Sequence, residues 1–70
     1  SGITASFVLY PDGEQVIISA RSIGSANVQM ILEPLGGGGN TATAGAQMKD
    51  TTVKEALDEL VASIDKFYEE

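Results

Sequence analysis

Two stretches of the chain alternate in polarity one residue at a time, on either side of a turn signal. In Ile3 to Tyr10, Ile3, Ala5, Phe7 and Leu9 fall on one side and Thr4, Ser6, Val8 and Tyr10 on the other. In Gln15 to Ser22, Val16, Ile18 and Ala20 oppose Gln15, Ile17, Ser19 and Arg21. A period of two carried by β-branched and aromatic residues is the periodicity of a strand. Between the runs stands Pro11-Asp12-Gly13. Proline presets φ for a turn, aspartate bonds its own backbone, and glycine accepts positive φ. The three together predict a β-hairpin with one face to bury.

The period then changes. Val28, Ile31, Leu32 and Leu35 recur at helical spacing. Ser25 or Asn27 can cap the start by accepting an otherwise unpaired N–H, and Gly36 supplies the stop. Pro34 removes a helical hydrogen bond, so the helix should end or distort near Glu33. Ala44 to Lys49 predicts a short strand with Ala44, Ala46 and Met48 on one face. Those small residues call for a neighbour packed close. Thr52 and Glu55 form a capping box. After it, Val53, Ala56, Leu57, Leu60, Val61, Ile64, Phe67 and Tyr68 make one apolar stripe, expected to be core with part of it free to serve as an interface. The expected fold is therefore α+β, in the order β-β-α-(glycine loop)-β-α. It has a three-stranded sheet, the hairpin plus one short strand, with two helices on one face. At 70 residues the chain is a single domain, 1–70, near the lower limit for a self-sufficient core.

Composition narrows the function. With neither histidine nor cysteine, the chain cannot build an N/S transition-metal cluster or a Ser-His or Cys-His nucleophile pair. The net charge is −6, but most of the acid lies in the last third. Before residue 50 only Asp12, Glu14 and Glu33 stand against Arg21 and Lys49. The balance argues against a broad nucleic-acid footprint and leaves room for one small anion site. The C-terminal acids belong to the solvated face of an amphipathic helix, where nothing would shift a carboxyl toward acid–base work. No apolar run approaches the ~20 residues of a membrane span. The absence of cysteine fits a cytosolic setting.

The run Gly36 to Gly39, followed by Asn40, admits two readings. It is a slack connection, or it is a place where backbone N–H groups approach an anion. It lacks the lysine and Ser/Thr of a Walker loop, and it follows a helix rather than the strand of a Rossmann fingerprint. Asn40 adds a donor and an acceptor. Arg21, the only arginine, is either a solvated surface residue or a guanidinium fork for phosphate. Ser22 and Asn27 suit turns and caps, roles that leave a ligand contact open.

The segment "VIISARSIGSANVQMILEPLGGGGNTATAGAQ" resembles the DHH-associated domain of the DHH phosphoesterase superfamily. The likeness rests on S-A-R-S, the N-V that opens the helix, the glycine run and A-G-A-Q in that order, over nearly the whole chain. Its look is that of the GdpP-type cyclic-di-AMP phosphodiesterases. The resemblance implies a substrate-binding lobe that is not catalytic alone. A separate DHH lobe of the same chain would carry the metal, Mn(II), and this segment would hold no cofactor. The ligand would be a cyclic dinucleotide or a short oligonucleotide. The candidate substrate-binding residues are Arg21, Ser22, Asn27, Gly37, Gly38, Gly39, Asn40, Ala44 and Gly45. Asn40 stands where the family has histidine, so weaker phosphate binding is expected, and Asn40→His should strengthen it. The family domain usually begins earlier, so the chain reads as part of a larger, cytoplasmic-facing protein, with no membrane contact of its own and a membrane-anchored parent. The alternative is an interaction module that binds no nucleotide and forms a homodimer through the helix stripe or an open sheet edge.

Overall fold

The computed structural model describes residues 4–68. Ile3, Glu69 and Glu70 lie outside the described residues. The first alternating run forms β1 (Ala5–Asp12) and the second β2 (Gln15–Ser22), paired antiparallel from Ala5↔Ser22 to Asp12↔Gln15. Pro11 is not in the turn, as its sequence context suggested. It lies in β1 opposite Val16, and Gly13-Glu14 make the turn, with Gly13 at φ 65. The Ile23 N–H bonds the Thr4 carbonyl. By the alternation of the ladder, Pro11↔Val16 is then a non-bonded pair, so the N–H that proline lacks belongs to the outer edge.

The first helix, α1 (Val28–Leu32), is short and runs directly into a 3-10 turn at Glu33–Leu35 that contains Pro34. Asn27 is its cap, with Oδ1 accepting the Met30 N–H at 3.0 Å. Gly36 closes the turn in the left-handed region at φ 86, as expected for a helix-terminating glycine.

The sheet has four strands, not three. Gly38–Gly39 form β3, and Thr43–Lys49 form β4, giving the order β1-β2-β4-β3 with every neighbour antiparallel. The glycine run is thus an edge strand. A segment without side chains has no period to read, which is why pattern analysis leaves it a loop.

One face of this sheet is covered. Val16, Ile18 and Ala20 of β2 and Ala44, Ala46 and Met48 of β4 meet Val28, Ile31 and Leu32 of α1. They also meet Ala56 and Leu60 of α2 (Val53–Tyr68). Each large aliphatic side chain fully buried there contributes ~1.5–3 kcal/mol. The capping box forms as expected: the Glu55 N–H donates to Thr52 Oγ1 at 3.2 Å, and the Thr52 N–H to Glu55 Oε1 at 3.1 Å. The Ser63 hydroxyl donates to the carbonyl of Ile31, which α1 is too short to satisfy itself, and so ties the two helices together. The α2 stripe is only partly core. Ala56 and Leu60 are buried, whereas Val53, Leu57 and Val61 are 37%, 45% and 47% exposed. The three follow one another at intervals of four along one flank of α2, so the stripe is wider than the face that packs.

Candidate functional site

The glycine run is built by close approach. A Cβ at Gly37 would sit 2.5 Å from the Gly45 carbonyl oxygen and 2.9 Å from Ala46 Cβ. At Gly39, where φ is 141, a Cβ would run into the Thr43 carbonyl and Ala44. A Cβ at Gly38 would meet nothing within 4 Å. Two of the glycines therefore let β3 lie against β4, while Gly38 keeps an outward position bare.

Asn40 closes the β3–β4 hairpin. Its Oδ1 accepts the N–H groups of Ala42 and Thr43 at 2.9 and 2.8 Å, and its own N–H donates to the Thr43 carbonyl at 2.8 Å. This is an Asx turn, the side-chain substitute for a backbone turn. Asn40 Oδ1 is thus engaged, and Nδ2 is the part of the carboxamide left to donate to a ligand.

The backbone donors can be counted one by one. Gly36 N–H bonds the Glu33 carbonyl, and Gly37 N–H bonds the Leu32 carbonyl at 2.9 Å. Since Asn40 N–H bonds Thr43, the antiparallel alternation makes Gly38↔Gly45 the next bonded pair and turns the Gly39 N–H and C=O outward. A nest of converging N–H groups, which the sequence suggested, is not what the run forms. Within it, Gly39 alone turns its N–H to the outer side of the sheet.

The uncovered face of the sheet carries the rest. The strand registers order it in rows: Ser6–Arg21–Thr43, then Val8–Ser19–Gly45–Gly38, then Tyr10–Ile17–Gln47, then Asp12–Gln15–Lys49. Arg21 is exposed and stands one row from the bare Gly45–Gly38 position. A shallow concavity of about 450 Å³ opens beside it, lined by Tyr10, Ile17, Ser19, Gln47 and the backbone of Gly36 to Gly38 and Gly45. That volume lies within the usual range for a small-molecule site, ~300–1,000 Å³.

Arg21, Gly38 and Gly45 are therefore brought to one face, with Gly39 and Asn40 at its edge. Ser22 is not on that face. Its hydroxyl donates to the Gly24 carbonyl at 3.1 Å, and its N–H to the Ala42 carbonyl at 2.7 Å. Asn27 caps α1, and the adjoining Val28 N–H reaches the Thr41 carbonyl at 3.3 Å, so it backs the hairpin turn from the helix side. Ala44 faces the core and Gly37 packs against it. Tyr10, Ile17 and Gln47 were not among the sequence candidates. Alternation puts them on the open face, but only the β2–β4 register shows that they form one row.

Among the described residues no three His, Cys, Asp or Glu side chains gather where they could share an ion. Also among the described residues, no helix is long and apolar enough to cross a membrane.

A four-stranded antiparallel sheet backed by two helices on one side, with Arg21 and the bare Gly45–Gly38 position on the other, defines a small α+β domain. The chain belongs to the DHHA1 domain family, whose model matches residues 1–70. It is 49% identical over 70 residues to the cyclic-di-AMP phosphodiesterase GdpP of Geobacillus thermodenitrificans, covering 99% of this chain and 11% of that protein. It is 47% identical over 68 residues to the cyclic-di-AMP phosphodiesterase PdeA of Listeria monocytogenes, covering 96% and 10%. It is 44% identical over 70 residues to GdpP of Bacillus subtilis, covering 99% and 11%. The chain thus spans about a tenth of the length of these curated relatives.

Proposed function

We infer that this chain is the phosphate-holding lobe of a DHH-type phosphodiesterase that converts cyclic-di-AMP to pApA. The observation that carries the reading is the placement of Arg21 on the uncovered sheet face beside the side-chain-free Gly45–Gly38 position. The relatives, named as cyclic-di-AMP phosphodiesterases over nearly all of this chain, supply the ligand class. Arg21 would hold a phosphate as a two-pronged donor. The bare glycines would let the sugar-phosphate backbone lie close to the sheet, and Gly39 N–H and Asn40 Nδ2 would add neutral hydrogen bonds at the rim. The lobe would close over the DHH lobe of the same chain, in the cytoplasm. Cleavage is assigned to no residue here.

Titration of the ¹⁵N-labelled chain with cyclic-di-AMP, pApA and short oligoribonucleotides tests this. Amide shifts are expected at Arg21 and from Gly38 to Thr43. Arg21→Ala should weaken binding about 10- to 100-fold, the worth of a hydrogen bond to a charged group. Arg21→Lys should restore only part of it, since an ammonium lacks the fork. Unmoved amides at millimolar ligand would overturn the reading.

A second reading has its own observation. Val53, Leu57 and Val61 leave an exposed apolar line along α2 that suits a second copy of the chain or a partner lobe. Sedimentation equilibrium separates the two, because self-association indifferent to nucleotide favours the interaction module.

A further inference from the structure

We propose that the groove on the helix side, between α2 and the segment from α1 to Leu35, is the seat of a second copy of the chain. The two α2 helices pack antiparallel there, about a two-fold axis between Ala62 and Ser63. The proposal stands apart from the phosphate reading. It also uses the other flank of α2, across the buried Ala56–Leu60 line from Val53, Leu57 and Val61. The groove encloses about 690 Å³, and its apolar wall is made by Met30, Leu35 and Phe67. Met30 is 58% exposed, so that wall stands open to solvent. Along the α2 side stand Glu59, Ala62, Ser63 and Lys66.

The charges choose the occupant. Glu59 and Lys66 are two helical turns apart on one flank, about 10 Å along the axis. Ala62 and Ser63 lie midway between them. An antiparallel copy, related by a two-fold axis at that midpoint, sets Glu59 of each chain against Lys66 of the other. Both opposite-charge pairs form at once, which is the self-complementarity an isologous contact requires. A parallel copy in register would set Glu59 against Glu59 and Lys66 against Lys66, and like charges disfavour it. Among the described residues the one ion pair is Lys54–Asp58, which engages neither of these charges.

The residues at the midpoint permit the approach. Ala62 and Ser63 are small enough for an interaxial distance of ~8 Å, the close end of helix packing. The Ser63 hydroxyl already donates to the Ile31 carbonyl, so covering it strands no polar group. Met30, Leu35 and Phe67 lose solvent contact as the groove fills, and the flexible thioether of Met30 adapts to the surface it meets. An apolar middle with charges at its ends is the anatomy of a small, reversible interface.

Sedimentation equilibrium of the chain from micromolar to millimolar concentration tests this. At ~0.15 M salt the net −6 of each chain is screened beyond ~8 Å, while pairs in contact persist. The mean mass should rise toward that of a dimer. Glu59→Lys or Lys66→Glu alone should weaken association about tenfold, because each turns two attractions into repulsions. The double variant E59K/K66E should restore it, and an equimolar mixture of the two single variants should associate more tightly than either one alone. Ala62→Trp should abolish it by parting the helices. All three side chains are exposed, and unchanged amide spectra away from the groove would verify that the variants are folded. Val61→Asp, on the other flank, should leave this association as it is. A chain that stays monomeric at millimolar concentration would overturn the proposal. So would association that survives Lys66→Glu and is lost with Val61→Asp, or a double variant that fails to restore it. The helix-side dimer leaves the open sheet face free, so the amide titration with nucleotide reads the phosphate site independently.

Discussion

The two hairpins of this sheet are made in opposite ways. β1–β2 pairs over its whole length through alternating side chains, and its register is set by the apolar row that must face the helices. β3–β4 has two pairs, one strand of nothing but glycine, and an asparagine side chain closing the turn. The first is held by what its residues bury. The second is held by the absence of side chains at Gly37 and Gly39 and by the bonds of Asn40. A pairing made that way leaves its outward surface bare, which the proposed phosphate contact requires.

The sharpest way to break this contrast is Gly39→Ala. A Cβ there combines a φ of 141 with collision against Thr43 and Ala44, so a loss of about 3 kcal/mol is expected in urea unfolding. Gly37→Ala should cost about 2 kcal/mol, because Gly45 and Ala46 must give way. Asn40→Ala leaves the Ala42 and Thr43 N–H groups without their acceptor and should cost about 1–2 kcal/mol. Asn40→His should lose about 1 kcal/mol of stability, since one ring nitrogen replaces an oxygen that takes two bonds, even where it tightens phosphate binding. Gly38→Ala should change stability by less than about 0.5 kcal/mol, with open space around its Cβ, yet weaken nucleotide binding by filling the trough. Should Gly38→Ala prove as damaging to stability as Gly39→Ala, the division between packing glycines and the bare one fails.

Much of this was legible in the sequence, for reasons that differ by element. Alternation fixed which face of β1, β2 and β4 is buried, and with it the open-face position of Arg21. Thr52 and Glu55 marked the start of α2 because the box is a local bond pattern. Glu33 and Pro34 marked where α1 gives way to a tighter turn. Three things were not legible. Glycine carries no polarity, so β3 could not announce itself. Pro11 carries a turn signal, yet an edge strand tolerates it where its missing N–H faces outward. The third is the exposed flank of the α2 stripe, since periodicity gives an apolar arc and not how much of that arc a neighbour covers. The same limit hid the Tyr10–Ile17–Gln47 row, because alternation gives a face and only strand register gives neighbours across it.

Each border of the sheet carries a feature that hinders addition of a further strand. On one side Pro11 cannot donate where an incoming chain would need it, and charged Asp12 follows. On the other, β3 is two residues long, and beyond it β4 ends in Lys49. Short, charged and proline-bearing borders are what keep stacked sheets from growing by lateral addition. Lateral addition is thereby hindered at the turn end of β1 and along β3, while the outward N–H groups of Ala5, Phe7 and Leu9 keep the rest of β1 able to pair.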